Sequence, residues 1–422
     1  MTRSINDKFD KIYNSEKINE YCATNAGVLP KDWQCKKISE IADELIETAG
    51  ESVYETVSIS AGIGFVNQAK KFGKELSGKQ YQKYIVLHKG DFSYNKGNSN
   101  LYPQGCIYRL NDRETAAVPN VFESFRIKDG NTDYYEQLFA SGFLNRQLYS
   151  RINRGVRDDG LLNLKGSDFY SCEVPVPSIW EQQKIAEILI QCDKVIELKE
   201  KFLLEKRKQK SVLETQLLLG KKRLRGFSGK WKRVKFGDFT KVISGGTPDT
   251  NIKEYWNGDI PWCVPSDISK AGKYISNTEK SISKNGLENS SAVLLPAGSI
   301  LMCSRATIGP RSINTVPMAT NQGFKSLVVD TKYAVTEYIY YALDLCLPAL
   351  IRLSSGSTFL ELAKKDLEKT EVLLPEIAEQ KAIAEILRVE DQEIDLLCKE
   401  IEFEKNKKKA LMQLLLTGTV RV

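Results

Sequence analysis

A chain of 422 residues can bury more than one core. Its single histidine, His88, argues against a Ser-His-Asp triad or a mixed Cys/His zinc site, and nine cysteines without a C-x-x-C pair fit reduced, buried thiols. The formal charge of +7 is mild, no apolar run approaches the roughly 20 residues of a membrane helix, and the N-terminus lacks a secretory apolar core, so a cytoplasmic chain with no membrane partner is expected.

In chain order, residues 1–30 open with Ile5, Phe9, Ile12 and Tyr13 at helical spacing and predict an N-terminal helical extension. Residues 31–176 mix Gly, Ser and Asn with short β-type runs such as "YIVLHKGDFSYN" and "CIYRL". After Pro177 the Gly and Pro punctuation stops. Ile185, Leu189, Cys192, Ile196, Leu203, Leu213 and Leu217 then follow coiled-coil spacing, which predicts one long helix within 177–224. Residues 225–374 return to the mixed pattern, with "AVLLPAGSILMCS" and "KSLVVD". Residues 375–422 repeat the helical one, through Ile383, Leu387, Ile394, Leu397, Ile401, Leu411 and Leu415. Gly220 and Gly418 stand where left-handed helix caps belong. Ser178 to Lys235 carries sixteen Lys/Arg against seven Asp/Glu, either a solvated helix face or a footprint for a polyanion.

The two helical stretches share a phrase. "EQQKIAEIL" begins at Glu181 and "EQKAIAEIL" at Glu379, 198 positions later, with seven of nine residues identical. The same offset aligns Trp33 with Trp231, Asp168 with Asp366, Pro177 with Pro375 and Arg223 with Arg421. The chain is therefore two copies of one unit. No Asn-Pro-Pro-aromatic tetrapeptide of an amino-methyltransferase occurs, and no constellation for making or breaking covalent bonds stands out.

"VPSIWEQQKIAEIL" after Val176 and "LPEIAEQKAIAEIL" after Leu374 resemble the conserved helical regions of the specificity (S) subunits of type I restriction-modification systems. "SGGTPDTNIKEYWNGDIPWCVPSDI", "SRATIG" and "NQGF" in the second half are similar to a version of that family's target-recognition domain; the first half departs from it. The resemblance implies an α+β fold: two mixed α/β target-recognition domains in tandem, separated by two long helices forming an antiparallel coiled coil, with a pseudo-twofold internal repeat. It implies a non-catalytic subunit that binds double-stranded DNA, each domain reading one half of a bipartite target. Two methyltransferase (M) subunits would dock on the helices and restriction (R) subunits would join for cleavage. No cofactor is expected on this chain; S-adenosylmethionine would belong to the methyltransferase partner, ATP and Mg to the restriction partner. A protein-binding scaffold, or the S subunit of a modification-only system, are the alternatives.

Exposed polar and basic loop residues are the expected DNA contacts. In the first domain these are Asn67, Gln68, Lys70, Lys71, Tyr94, Asn95, Lys96, Arg154 and Arg157. In the second they are Thr247, Lys253, Arg305, Ser355, Ser357 and Thr358. Glu181, Gln182, Ile185, Leu189 and Ile196, with Glu379, Gln380, Ile383, Leu387 and Ile394, are expected to form the coiled coil and dock the partners.

Overall fold

The structure, a computed structural model, describes residues 20–73, 78–97, 101–152, 161–354 and 360–422. Ile5, Phe9, Ile12 and Tyr13 lie outside the described residues. The end of the expected helical extension is instead a β-hairpin, Tyr21–Thr24 against Gly27–Pro30. Gly27, at φ +125°, makes the turn that a β-carbon would strain.

The chain forms two compact units. One comprises Met1–Glu200 with Glu400–Val422, the other Lys201–Lys399. In the first unit a four-stranded antiparallel sheet runs in the order Ala42–Glu44, Glu123–Ile127, Phe92–Asn95, Cys106–Arg109. Phe92, Tyr94 and Phe125 are buried in it, and Phe125 stacks on Phe92 with ring centroids 5.4 Å apart. Helix α1 (Thr132–Ala140) starts where the Asn131 side chain accepts from the Tyr134 amide, satisfying one orphan donor of the first turn. Its apolar face, Tyr134, Tyr135, Leu138 and Phe139, closes the core.

Strand Gln34–Lys37 pairs with Glu173–Val176, so the start and end of the first domain meet at one edge. That edge delivers the chain into the long helix α2 (Ile179–Leu218). The second unit repeats the device: Lys232–Lys235 pairs with Glu371–Leu374. Its main sheet has five strands, in the order Thr240–Ser244, Lys325–Val329, Ile300–Met302, Arg311–Asn314, Tyr274–Ile275. Helix α3 (Thr336–Leu353) packs into that core, and α4 (Ile377–Leu415) follows the closing strand. Gly220 and Gly418 sit at φ +65° and +67° just past the ends of α2 and α4.

Each long helix, about 60 Å at 1.5 Å per residue, begins in one unit and ends in the other. Within the first unit, the start of α2 runs antiparallel to the end of α4. Asp193 pairs with Lys408 and Lys199 with Glu404. Within the second unit, Lys206 of α2 pairs with Glu393 of α4, and Lys210 with Asp391. The acidic first half of α4 thus pairs with Lys206 and Lys210 of the basic run on α2. These pairs are mostly half-buried; a solvent-exposed pair is worth about 0.2–1 kcal/mol.

The apolar seam divides in an unexpected way. Ile185 and Leu189 are buried in the first unit's core, beside Leu415 and Leu416 from the end of α4. Ile383 and Leu387 are buried in the second unit's core, beside Leu217 and Leu218 from the end of α2. These four residues therefore each belong to one of two domain cores, packed against the other helix's end, whereas Ile196 and Ile394 are half-buried. The compact units extend past 176 and 374: each includes a helix start and the other helix's end. Truncating a fully buried Leu to Ala costs about 2–5 kcal/mol. Leu189→Ala and Leu387→Ala should each weaken a different unit, and urea unfolding of the double variant should show the two losses adding within about 0.5 kcal/mol.

Candidate nucleic-acid interface

At the first turn of α2, Glu181 is buried, and its carboxylate accepts from the Trp33 indole N–H at 3.0 Å. Arg421, beyond the end of α4, donates to the same carboxylate through Nε at 2.6 Å and Nη2 at 3.0 Å, and also pairs with Asp32. The hydrogen bond from Arg421 holds the Asp32 carboxyl below the usual carboxylate range. In the second unit Glu379 accepts from Trp231 at 3.0 Å and from Arg223 at 2.7 and 2.8 Å. Lys230 replaces Asp32 there, and Arg223 donates instead to the Gly229 carbonyl at 3.1 Å.

The neighbouring glutamines are also internal. Gln182 donates to the Pro177 carbonyl at 2.9 Å and accepts from the Asn131 amide at 2.7 Å. Gln380 donates to the Pro375 carbonyl at 2.9 Å and accepts from the Val335 amide at 2.8 Å. The expectation that Glu181, Gln182, Glu379 and Gln380 face a partner is therefore corrected. They are buried, and they tie each helix start to its own domain and to the other helix's tail. Further along, Asp193 accepts from Gln137 at 2.9 Å and from Lys408, while Asp391 accepts from Tyr341 at 2.5 Å and from Lys210.

Several expected DNA contacts are structural. Gln68 is buried and donates to the Val57 carbonyl. Tyr94 is buried, donates to the Gln104 carbonyl at 2.7 Å and stacks on Phe169. Both side chains are buried and bonded within the unit. Asn95 braces the Ile59 carbonyl and the Gly97 amide. Lys96 pairs with Glu123 at 2.8 Å, both side chains mostly buried. Asn67 caps its short helix by accepting from the Lys70 amide and also donates to Glu55. Lys70 and Lys71 remain exposed on that helix. Arg154 and Arg157 lie outside the described residues, as do Ser355, Ser357 and Thr358.

In the second unit four loops converge. The Ser304 amide donates to the Gly323 carbonyl at 2.7 Å, the Ala306 amide to the Leu360 carbonyl at 3.0 Å, and the Gly246 amide to the Thr320 carbonyl at 2.9 Å. A β-carbon on Gly245 would lie 2.0 Å from the Asn321 carbonyl oxygen, and one on Gly246 2.3 Å from Ser291, so "SGG" is a steric requirement of this crossing. Ala306 sits at φ +58°, an uncommon conformation for a residue with a side chain. Beside it the exposed Arg305 is held by Glu361 at 3.0 Å. Thr247 donates to Gln322, and Gln322 is exposed at the same loop cluster. Gln322 was not among the expected contacts, although it lies inside the "NQGF" motif. Lys253 is exposed on the 3-10 turn Lys253–Tyr255. Arg and Gln side chains suit bidentate contact to guanine and adenine edges, and Thr a thymine methyl.

Among the described residues no cluster of His, Cys, Asp or Glu could hold a metal ion, and no helix is long and apolar enough to cross a membrane. A family model described as the type I restriction modification DNA specificity domain matches residues 30–206 and again 228–404, displaced by the same 198 positions as the sequence repeat. The type I restriction enzyme MjaIX specificity subunit of Methanocaldococcus jannaschii is 39% identical over 168 residues, so the match spans 39% of that relative and of this chain. The putative type I restriction enzyme MjaX specificity subunit of the same organism is 22% identical over 431 residues, 94% of this chain and 96% of the relative. The type I restriction-modification S subunit from M. genitalium shares the fold, with a TM-score of 0.54 at 16% identity over 91% of this chain and 96% of that one.

The second unit's junction contains a titratable group without a counterpart in the first. Glu214 of α2 is pushed up to about 7 by burial and by the neighbouring Asp344, and its Oε1 has no partner. The folded state therefore holds a proton that the unfolded chain, with a carboxyl near 4.5, releases. That contribution is fully present below 4.5 and is lost as pH rises through 7, by on the order of 1–3 kcal/mol. Glu214→Gln should flatten this fall, and chemical unfolding across that pH range measures it.

Proposed function

The chain belongs to the family of type I restriction-modification DNA specificity proteins, and from that premise we propose that it directs a methyltransferase, and through it a restriction partner, to a split DNA sequence. Each unit reads one half of the target. In the second unit the reading edge is the loop cluster bearing Thr247, Arg305 and Gln322, with Lys253 on phosphate. The observation that carries this reading is the convergence of four loops that expose Arg305 and Gln322, with the half-buried Thr247 bonded to Gln322, on a pinned backbone, since base readout demands donors held in place. In the first unit Lys70 and Lys71 supply phosphate contacts. The exposed basic residues Lys221, Lys222, Arg225 and Lys230 add to the electrostatic term that dominates nucleic-acid affinity.

The chain itself performs no covalent chemistry in this reading. S-adenosylmethionine is bound by two methyltransferase subunits, ATP and Mg by the restriction subunits, and the assembly works in the cytoplasm. The methyltransferases dock on faces of the long helices that remain open. Leu198 and Leu396 are equivalent in the repeat and are 56% and 60% exposed, so they are a matched pair of apolar contacts for the same partner used twice.

Two outcomes test the proposal. Replacing residues 31–176 with the matching domain of a relative should change one half of the methylated motif in sequenced cellular DNA and leave the other half intact; a change in both halves contradicts it. Leu198→Asp with Leu396→Asp should lower recovery of the methyltransferase with the tagged chain at least about tenfold while leaving the chain's own melting curve in place, because each loses a desolvated apolar contact. Unchanged recovery would place the docking face elsewhere.

A further inference from the structure

A cleft of about 400 Å³ opens in the first unit between α1, the strand Cys106–Arg109 and the helix residues Asp193 and Lys408. Its walls include the aromatic side chains of Phe92, Tyr94, Tyr102, Tyr108 and Phe139. Two polar atoms of residues lining it are buried without a partner: Arg109 Nε, a donor, and Gln137 Oε1, an acceptor. Turning the Gln137 amide over does not relieve this. Its nitrogen donates to Asp193 at 2.9 Å, and an ionised carboxylate can only accept. Arg109 is held by Asp133 and Glu136 through Nη1 alone, at 2.5 and 3.1 Å, which leaves Nε–H outside those pairs. A buried donor and acceptor left unmade are costly, and native proteins rarely leave them so without reason.

The repeat supplies an internal comparison. Asp391 and Lys210 are the counterparts of Asp193 and Lys408, and they too line a cleft, where Tyr341 bonds Asp391 as Gln137 bonds Asp193 and Arg311 stands in the wall. There every guanidinium nitrogen of Arg311 is bonded: Nε to the Tyr340 carbonyl at 2.8 Å, Nη1 to the Gly309 carbonyl at 3.2 Å, Nη2 to Asp344 at 2.5 Å. Lys273 reaches in, donates to Tyr341 at 2.9 Å and sits 4.2 Å from that ring's centroid. Arg311 and Tyr341 are thus bonded within their own unit, whereas Arg109 Nε and Gln137 Oε1 are not.

We propose that the first unit's cleft binds an uncharged, planar heteroaromatic molecule of the nucleobase or nucleoside class. The charged groups lining it pair with one another, Arg109 with Glu136 and Lys408 with Asp193, so no net charge remains to draw an ionic ligand. A nucleobase edge offers an acceptor beside an N–H donor, the complement of Arg109 Nε and Gln137 Oε1. Its ring suits aromatic walls, and the volume falls in the range of small-molecule sites. The base can come from a free nucleoside or from an extruded nucleotide of bound DNA.

The test is calorimetric titration of the full chain with adenine, adenosine, guanosine, cytidine and thymidine, each to about 10 mM, a ceiling well above useful affinities. At least one should bind saturably. Gln137→Leu should weaken it about tenfold, the loss expected for one hydrogen bond. Ala140→Trp, which fills the cleft from an exposed position, should abolish binding without lowering the melting temperature. A parallel arm measures affinity for target duplex with and without saturating nucleoside. Competition relieved in Ala140→Trp assigns the site to an extruded base, and its absence assigns it to the free molecule. No saturable binding by any of the five together with no competition, or binding that survives Ala140→Trp, overturns the proposal and leaves a solvent-filled cleft.

Discussion

A carboxylate buried at the first turn of each long helix is the interaction on which the rest of the molecule depends. Removing a charge from water is expensive unless it is paired and hydrogen-bonded, and breaking such a pair costs about 3–5 kcal/mol. Glu181 meets the requirement with Trp33 from its own domain and Arg421 from the far end of the chain. Glu379 meets it with Trp231 and Arg223. One side chain therefore fixes three stretches of backbone: the domain's first strand edge, the helix start and the other helix's tail. The phrase "EQ" is written twice because the same internal junction is built twice.

A second tie reinforces the first. Asp193 and Asp391 lie 12 positions after the two glutamates, about 18 Å along the helix. Each accepts from its domain and from a lysine on the other helix. Two ties at that spacing hold a domain against both helix segments of its unit and resist rotation as well as detachment. This suits a protein whose proposed task is to hold a reading edge in place. The junctions are shared while their surroundings differ. The first unit uses the amide Gln137 where the second uses Tyr341, packed beside Lys273.

Much of this architecture was legible in the sequence because it rests on repetition and period. The offset of 198 positions, the two helices, their glycine stops and the Trp33/Trp231 and Arg223/Arg421 equivalences are all one-dimensional signals. What could not be read was burial of polar residues. Tyr94 and Gln68 carry the letters of a DNA contact, yet one sits on a central strand and the other under a hairpin. Glu181 and Gln182 look like a partner-facing motif because charged residues are seldom fully buried, and only the long-range approach of Arg421 makes their burial tolerable. The hairpin Tyr21–Pro30 was hidden by the helical spacing that precedes it, and the exchange of helix tails by the absence of any local marker. Gln322 stood inside a motif read as a family signature, and its exposure depends on how four loops cross.

The exchange of tails is tested most directly by double-mutant cycles on the full chain, with stability read from chemical unfolding. Glu181→Gln with Arg421→Gln, and Glu379→Gln with Arg223→Gln, should each show a coupling of about 1–3 kcal/mol, as expected for side chains in direct contact. The crossed combinations, Glu181→Gln with Arg223→Gln and Glu379→Gln with Arg421→Gln, should add within about 0.5 kcal/mol. Coupling in the crossed pairs, or none in the direct pairs, would contradict the account, because each carboxylate would then be held by its own helix's tail or by neither.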